Sequence, residues 1–89
     1  MTEPAATRLK RLRMRSWRRG IREMDLILGG FAEAELAALD EAELALYDAL
    51  LSENDHDLYA WVSGAAAAPD RYSGLVARIA RSSGLPRSA

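Results

Sequence analysis

Five positions hold all the valine and isoleucine of the chain, Ile21, Ile27, Val62, Val76 and Ile79, while alanine and leucine recur throughout. No stretch alternates apolar and polar residues with β-branched side chains, the pattern of a half-buried strand. The interval that recurs is helical. A first helix from about Ala5 to Arg18 carries Leu9 and Leu12 on one side, with Trp17 nearby, and Gly20 stops it in the left-handed conformation common at helix C-termini. A second begins near Ile21 with the stripe Ile21, Met24, Ile27 and Leu28, and the pair Gly29-Gly30 ends or kinks it. Phe31 opens a short segment reaching Leu36 and Leu39. Asp40 and Glu43 spell a capping box for a third helix whose Leu44, Tyr47, Leu50 and Leu51 share one face. Asp55 caps a fourth helix containing Leu58, Trp61 and Val62, which Gly64 closes before the run Ala65 to Ala68. Asp70 caps a fifth, where Tyr72, Leu75, Val76 and Ile79 fall at i, i+3, i+4 and i+7, with Gly84 and Pro86 past its end. The expectation is all-α: a small five-helix bundle packed antiparallel around one core. It forms a single domain over residues 1–89, with flexible ends at about 1–5 and 84–89.

At 89 residues there is material for one core, and the chain has no cysteine, so neither a disulfide nor a thiolate metal site reinforces it. Helix packing or a partner must supply the stability. No apolar stretch approaches the roughly 20 residues of a membrane-crossing helix, and the N-terminus lacks the apolar core of a secretory signal. Its Arg-rich start also suits a transit peptide, but it runs straight into patterned sequence, which favours a cytoplasmic location.

A net charge of −1 conceals a segregation. Residues 1–24 hold eight cations (Arg8, Lys10, Arg11, Arg13, Arg15, Arg18, Arg19, Arg22) against two carboxylates, Glu3 and Glu23. Residues 25–70 hold eleven acidic residues and no Lys or Arg, and the tail from Arg71 adds four arginines. Such a distribution orients partners rather than deciding a fold.

Catalytic nominations fail. The one histidine, His56, lies between Asp55 and Asp57 at a helix start, where a solvated side chain is expected, since metal sites recruit several ligands together. No phosphate loop, dinucleotide fingerprint, HExxH or nucleophile elbow occurs, so the chain is not expected to be an enzyme or to hold a metal. What stands out is Trp17-Arg18-Arg19-Gly20-Ile21-Arg22-Glu23-Met24-Asp25-Leu26. One reading is a helix-helix corner, with positive φ at Gly20 and an Arg19–Glu23 pair at i, i+4. The other is a recognition surface: a residue without Cβ admits a partner's backbone, and Arg18, Arg19 and Arg22 surround it with hydrogen-bonding forks.

At this motif the chain resembles the SdhE family of FAD assembly factors. The family's RGxxE is matched by Arg19-Gly20-Ile21-Arg22-Glu23, followed by Met24 to Leu28 and Phe31. Leu36, Leu39, Glu43-Leu44, Tyr47, Leu50-Leu51, Asp55-His56-Asp57-Leu58-Tyr59-Ala60-Trp61-Val62 and Gly64 then follow in the family's order, so the similarity covers about residues 15–64. The resemblance implies a five-helix monomer without catalytic groups. Such a factor transiently binds the apo flavoprotein subunit of succinate dehydrogenase or fumarate reductase and promotes covalent FAD attachment. It further implies that the factor binds no cofactor stably: the FAD belongs to the client, whose own histidine becomes bonded to the flavin 8α position. Carried onto this chain, Gly20 allows close contact, Arg19 and Glu23 make polar contacts to the client, and Arg18, Arg22 and Asp25 flank them. Phe31 and Trp61 are expected in the core or at its rim.

Three rivals use other features. A nucleic-acid-binding module would employ the basic N-terminal helix, against a pI near 5.8 and the absence of a helix-turn-helix or stacking-aromatic pattern. A peripheral membrane anchor would rely on the thin apolar face of Leu9, Leu12 and Trp17. A generic protein adaptor would differ only in its partner. The expectation is no nucleic acid and no integral membrane association.

Overall fold

The computed structural model describes residues 3–84. Its elements are α1 (Ala5–Arg15), α2 (Arg22–Glu35), a 3-10 turn (Leu36–Ala38), α3 (Glu41–Leu50), α4 (Asp55–Ser63) and α5 (Asp70–Ser83). The described residues are thus all-α with the five expected helices. Residues 1, 2 and 85–89, including Pro86 and most of the ends read as flexible, lie outside them; helix begins already at Ala5, and Gly84 closes α5 with φ 71°.

Helix α2 is the central element, packed against α1, α4 and α5. Its Met24, Ile27, Leu28, Phe31 and Ala32 are buried together with Leu12, Leu36, Tyr47, Leu50, Leu58, Val62, Tyr72, Val76 and Ile79. Every helix therefore contributes apolar side chains to one core, which is how so short a chain without cross-links removes enough surface from water. Phe31 sits in this core with its ring 5.5 Å from that of Tyr47, while Trp61 is at the rim, 6.0 Å from Tyr72.

Several boundaries differ from the sequence reading. Helix α1 stops at Arg15, earlier than Arg18. The buried Ser16 donates its hydroxyl to the Leu12 carbonyl at 2.8 Å and shares a 2.6 Å hydrogen bond with the Tyr47 hydroxyl, tying this end of α1 to α3. Burial pushes the Tyr47 phenol up to about 12, so it remains a protonated partner. Gly29-Gly30 does not end α2: the helix runs through both. Gly29 is buried beneath the Trp17 indole, where a Cβ would lie 2.5 Å from the ring. The missing side chain admits an aromatic and does not break the helix. Asn54, not Asp55, caps α4, accepting from His56 N–H at 2.8 Å, which releases the Asp55 carboxylate for other work. Asp70 is the first residue of α5, preceded by Pro69 with no side-chain cap. The capping box of Asp40 and Glu43 forms as read, with reciprocal hydrogen bonds of 2.8 and 2.9 Å.

The segregated charges meet across the fold. Arg8 pairs with Glu41, and Arg11 reaches both Glu3 and Asp48 at 3.0 Å. Arg15 also pairs with Asp48, and Arg13 faces Glu33 at 3.8 Å. The basic helix thus lies against acidic side chains of this same chain. Hydrogen bonds from Arg11 hold the Asp48 and Glu3 carboxyls below the usual carboxylate range.

Candidate docking surface

The connection from α1 to α2, residues 16–21, is held from inside by side chains that the sequence motif brings together. Arg18 takes the left-handed backbone conformation (φ 58°), and Gly20 does not. Positive φ at an arginine is uncommon and costs free energy that the surrounding contacts must offset. Those contacts are visible. The Asp25 side chain accepts from the Arg19 backbone N–H, and Asp55 accepts from the Gly20 N–H. The Arg19 guanidinium turns inward. It pairs with Asp55 at 2.8 Å and donates to the Leu51 carbonyl at 2.8 Å and the Arg15 carbonyl at 3.0 Å. Its side chain is 10% exposed and that of Asp55 16%.

This arrangement corrects the expected Arg19–Glu23 pair. Arg19 crosses to α4, and Glu23 is left on the first turn of α2 without an intramolecular hydrogen bond or ion pair among the described residues. It also gives Gly20 a second reason: a Cβ there would lie 3.0 Å from Asp55 Oδ2, crowding the latch. The six motif residues therefore fall into two groups. Arg18, Gly20, Arg22 and Glu23 are exposed, whereas Arg19 and Asp25 are partly buried and brace the turn from within.

Around α2, successive residues advance by 100°, so Arg22, Leu26, Gly30 and Glu33 share the outward face, with Glu23 beside it. Leu26 is 60% exposed there, and Trp17, 39% exposed, covers Gly29 at its edge. Glu23, Leu26 and Ile27 face Tyr59 of α4 and Ser83 of α5 across an open cavity of about 260 Å³. Asp55 is the functional residue that the sequence does not assign to this turn, because it reads there as the cap that Asn54 provides. Leu26 stands off the buried stripe Met24, Ile27, Leu28 by its helical angle, a signal present in the sequence.

His56 is exposed in the first turn of α4, as expected. Among the described residues no group of three or more His, Cys, Asp or Glu side chains is placed to hold a metal ion, and no helix is long and apolar enough to cross a membrane.

The fold and this turn define a small helical module with a braced, solvent-exposed turn. The chain belongs to the Sdh5 family, described as flavinator of succinate dehydrogenase, whose profile matches residues 10–83. It is similar to the mitochondrial succinate dehydrogenase assembly factor 2 of Drosophila grimshawi, 42% identical over 72 residues that cover 79% of this chain and 49% of the relative. It is likewise similar to the proteins of that name from Saccharomyces cerevisiae, 46% identical over 61 residues (68% of this chain, 38% of the relative), and Candida glabrata, 51% identical over 53 residues (60% and 35%). The chain thus spans about half the length, or less, of these relatives.

Proposed function

We propose that this chain is a non-catalytic maturation factor that binds the apo flavoprotein subunit of succinate dehydrogenase and promotes covalent attachment of FAD. The homologous subunit of fumarate reductase is a client of the same kind. The observation that carries this reading is the braced turn: Arg19, Asp25 and Asp55 fix the backbone, and Arg18, Gly20, Arg22 and Glu23 stand in solvent. Membership of the flavinator family supports succinate dehydrogenase as the enzyme whose subunit is bound.

The chemistry of attachment belongs to the client, which holds the FAD and its own reactive histidine. This chain contributes position. A misplacement of about 1 Å between reacting groups costs on the order of a hundredfold in rate. A factor that binds the productive arrangement of the subunit better than others raises its population without a catalytic group of its own. On this reading Glu23, Arg18 and Arg22 are the client contacts, Gly20 keeps the surface low, and Arg19 and Asp25 act through the turn they hold. The factor works as a monomer, in the cytoplasm, without nucleic acid. The pairing of Arg8, Arg11 and Arg15 with Glu41 and Asp48 supports the last point, because a phosphate would have to compete with these carboxylates.

The test is co-expression of the client subunit with this chain, followed by in-gel flavin fluorescence. The client should carry covalent flavin with the wild-type chain and lose it with Glu23→Ala, whose melting temperature should stay within about 2 °C of wild type because the side chain is exposed. Gly20→Arg should also abolish the fluorescent band while leaving the helical spectrum intact. Full flavinylation by a folded Glu23→Ala chain refutes the assigned contact.

A further inference from the structure

We propose that the cavity between α2, α4 and α5 receives one large apolar side chain of the client, with a cationic group of the client beside it on Glu23. The inference rests on the maturation-factor reading and adds to it the chemistry of the segment recognised. Three observations carry it. First, the walls are Leu26, Ile27 and Tyr59, closed by Ser83, and Leu26 is 60% exposed, which leaves apolar surface at the cavity for a partner to cover. Second, the cavity is open to solvent and measures about 260 Å³, room for one large apolar side chain. Third, among the described residues Glu23 is the only charged one lining the cavity. Its neighbours Asp25 and Asp55 already accept from Arg19 and Gly20, so Glu23 is the carboxylate left for a partner's cation.

The order of charges sharpens the complement. Around α2, Leu26 lies between Arg22 and Glu23. A segment that seats its apolar side chain against Leu26 must therefore present a basic group on the Glu23 side and an acidic or carbonyl group on the Arg22 side. A uniformly basic or uniformly acidic segment meets a like charge on one side and is rejected. Continuity with the turn matters as well, since Glu23 belongs to both.

The experiment uses the purified chain and the purified apo flavoprotein subunit of succinate dehydrogenase. Leu26→Arg should weaken binding by at least about tenfold, and Leu26→Met should stay close to wild type, because the apolar anchor is kept. A benzophenone amino acid in place of Leu26 should cross-link to the client, whereas the same group in place of Ala45, exposed on α3, should not. Undiminished binding by Leu26→Arg, or a client cross-link from position 45 but not 26, overturns the cavity as the seat. A cross-link from 26 to a second copy of this chain overturns it in favour of self-association. If the wild-type chain itself fails to bind the subunit, the maturation-factor reading fails and the occupant with it. If the wild type binds and the cavity variants do not matter, only the cavity proposal fails.

Discussion

Gly29 and Gly30 are adjacent in α2, yet replacing each by alanine should move stability in opposite directions. A Cβ at Gly29 would lie 2.5 Å from Cδ2, Cε2 and Cζ2 of Trp17, while at Gly30 nothing lies within 4 Å. Carbon atoms in contact sit about 3.5–4.0 Å apart, so the indole must withdraw by ~1 Å or more. The helix cannot yield instead, because Leu28 and Phe31 on its inner side are fully packed. Trp17 is 39% exposed, and expelling its buried part returns roughly 150 Å² to water, a cost of about 4 kcal/mol at ~25 cal/mol per Å². Alanine gains about 1 kcal/mol over glycine in a helix. Gly29→Ala should therefore destabilise by about 2–3 kcal/mol, on the order of a 15 °C fall in melting temperature for a chain of this length, and Gly30→Ala should stabilise by about 0.5–1 kcal/mol. Thermal unfolding followed by far-ultraviolet dichroism measures both. In a Trp61→Phe background the emission of Trp17 should shift to the red with Gly29→Ala. In a Trp17→Ala background the same glycine replacement should become neutral or stabilising. A Gly29→Ala protein as stable as wild type, or a penalty that survives removal of Trp17, would refute the stacking of indole on glycine.

Two further outcomes follow from the ion pairs. Asp55→Ala should cost about 2–3 kcal/mol in urea unfolding, since it removes the carboxylate from a guanidinium that is only 10% exposed; a loss under about 0.5 kcal/mol would show the latch to be idle. Acid should destabilise the fold. The carboxyls of Asp48 and Glu3, held low by Arg11, and of Glu35, held low by Arg78, have folded values below their unfolded ones. Their contribution is complete above the unfolded carboxylate range and is lost as pH falls through the folded values, from about pH 4 downward. Asp48→Asn should lower the melting temperature at pH 7 and flatten its dependence on acid, and an unchanged slope would contradict the pairing.

The helices were legible because their signals are local. Tyr72, Leu75, Val76 and Ile79 state the inner face of α5 by spacing alone, and Asp40 with Glu43 states where α3 begins. What escaped depends on residues far apart in sequence. Nothing near Gly29 shows that Trp17 will lie over it, so the glycine pair reads as a break. Likewise Arg19 has Glu23 one turn away, and the partner it takes, Asp55, becomes available only because Asn54 does the capping. The motif was visible as a motif. Its division into an inner pair that braces the turn and outer residues that meet solvent is a three-dimensional fact.

The clasp between α1 and its acidic neighbours also governs how a partner is met. With Arg8, Arg11, Arg13 and Arg15 each beside a carboxylate, much of the positive charge of α1 is offset locally. For the proposed complex this predicts an association rate of about 10⁵–10⁶ M⁻¹s⁻¹ with little dependence on salt, its lifetime set by the few groups that touch. A maturation factor of the kind proposed, which must leave its product once the work is done, is well served by a hold that is local, and therefore easily released.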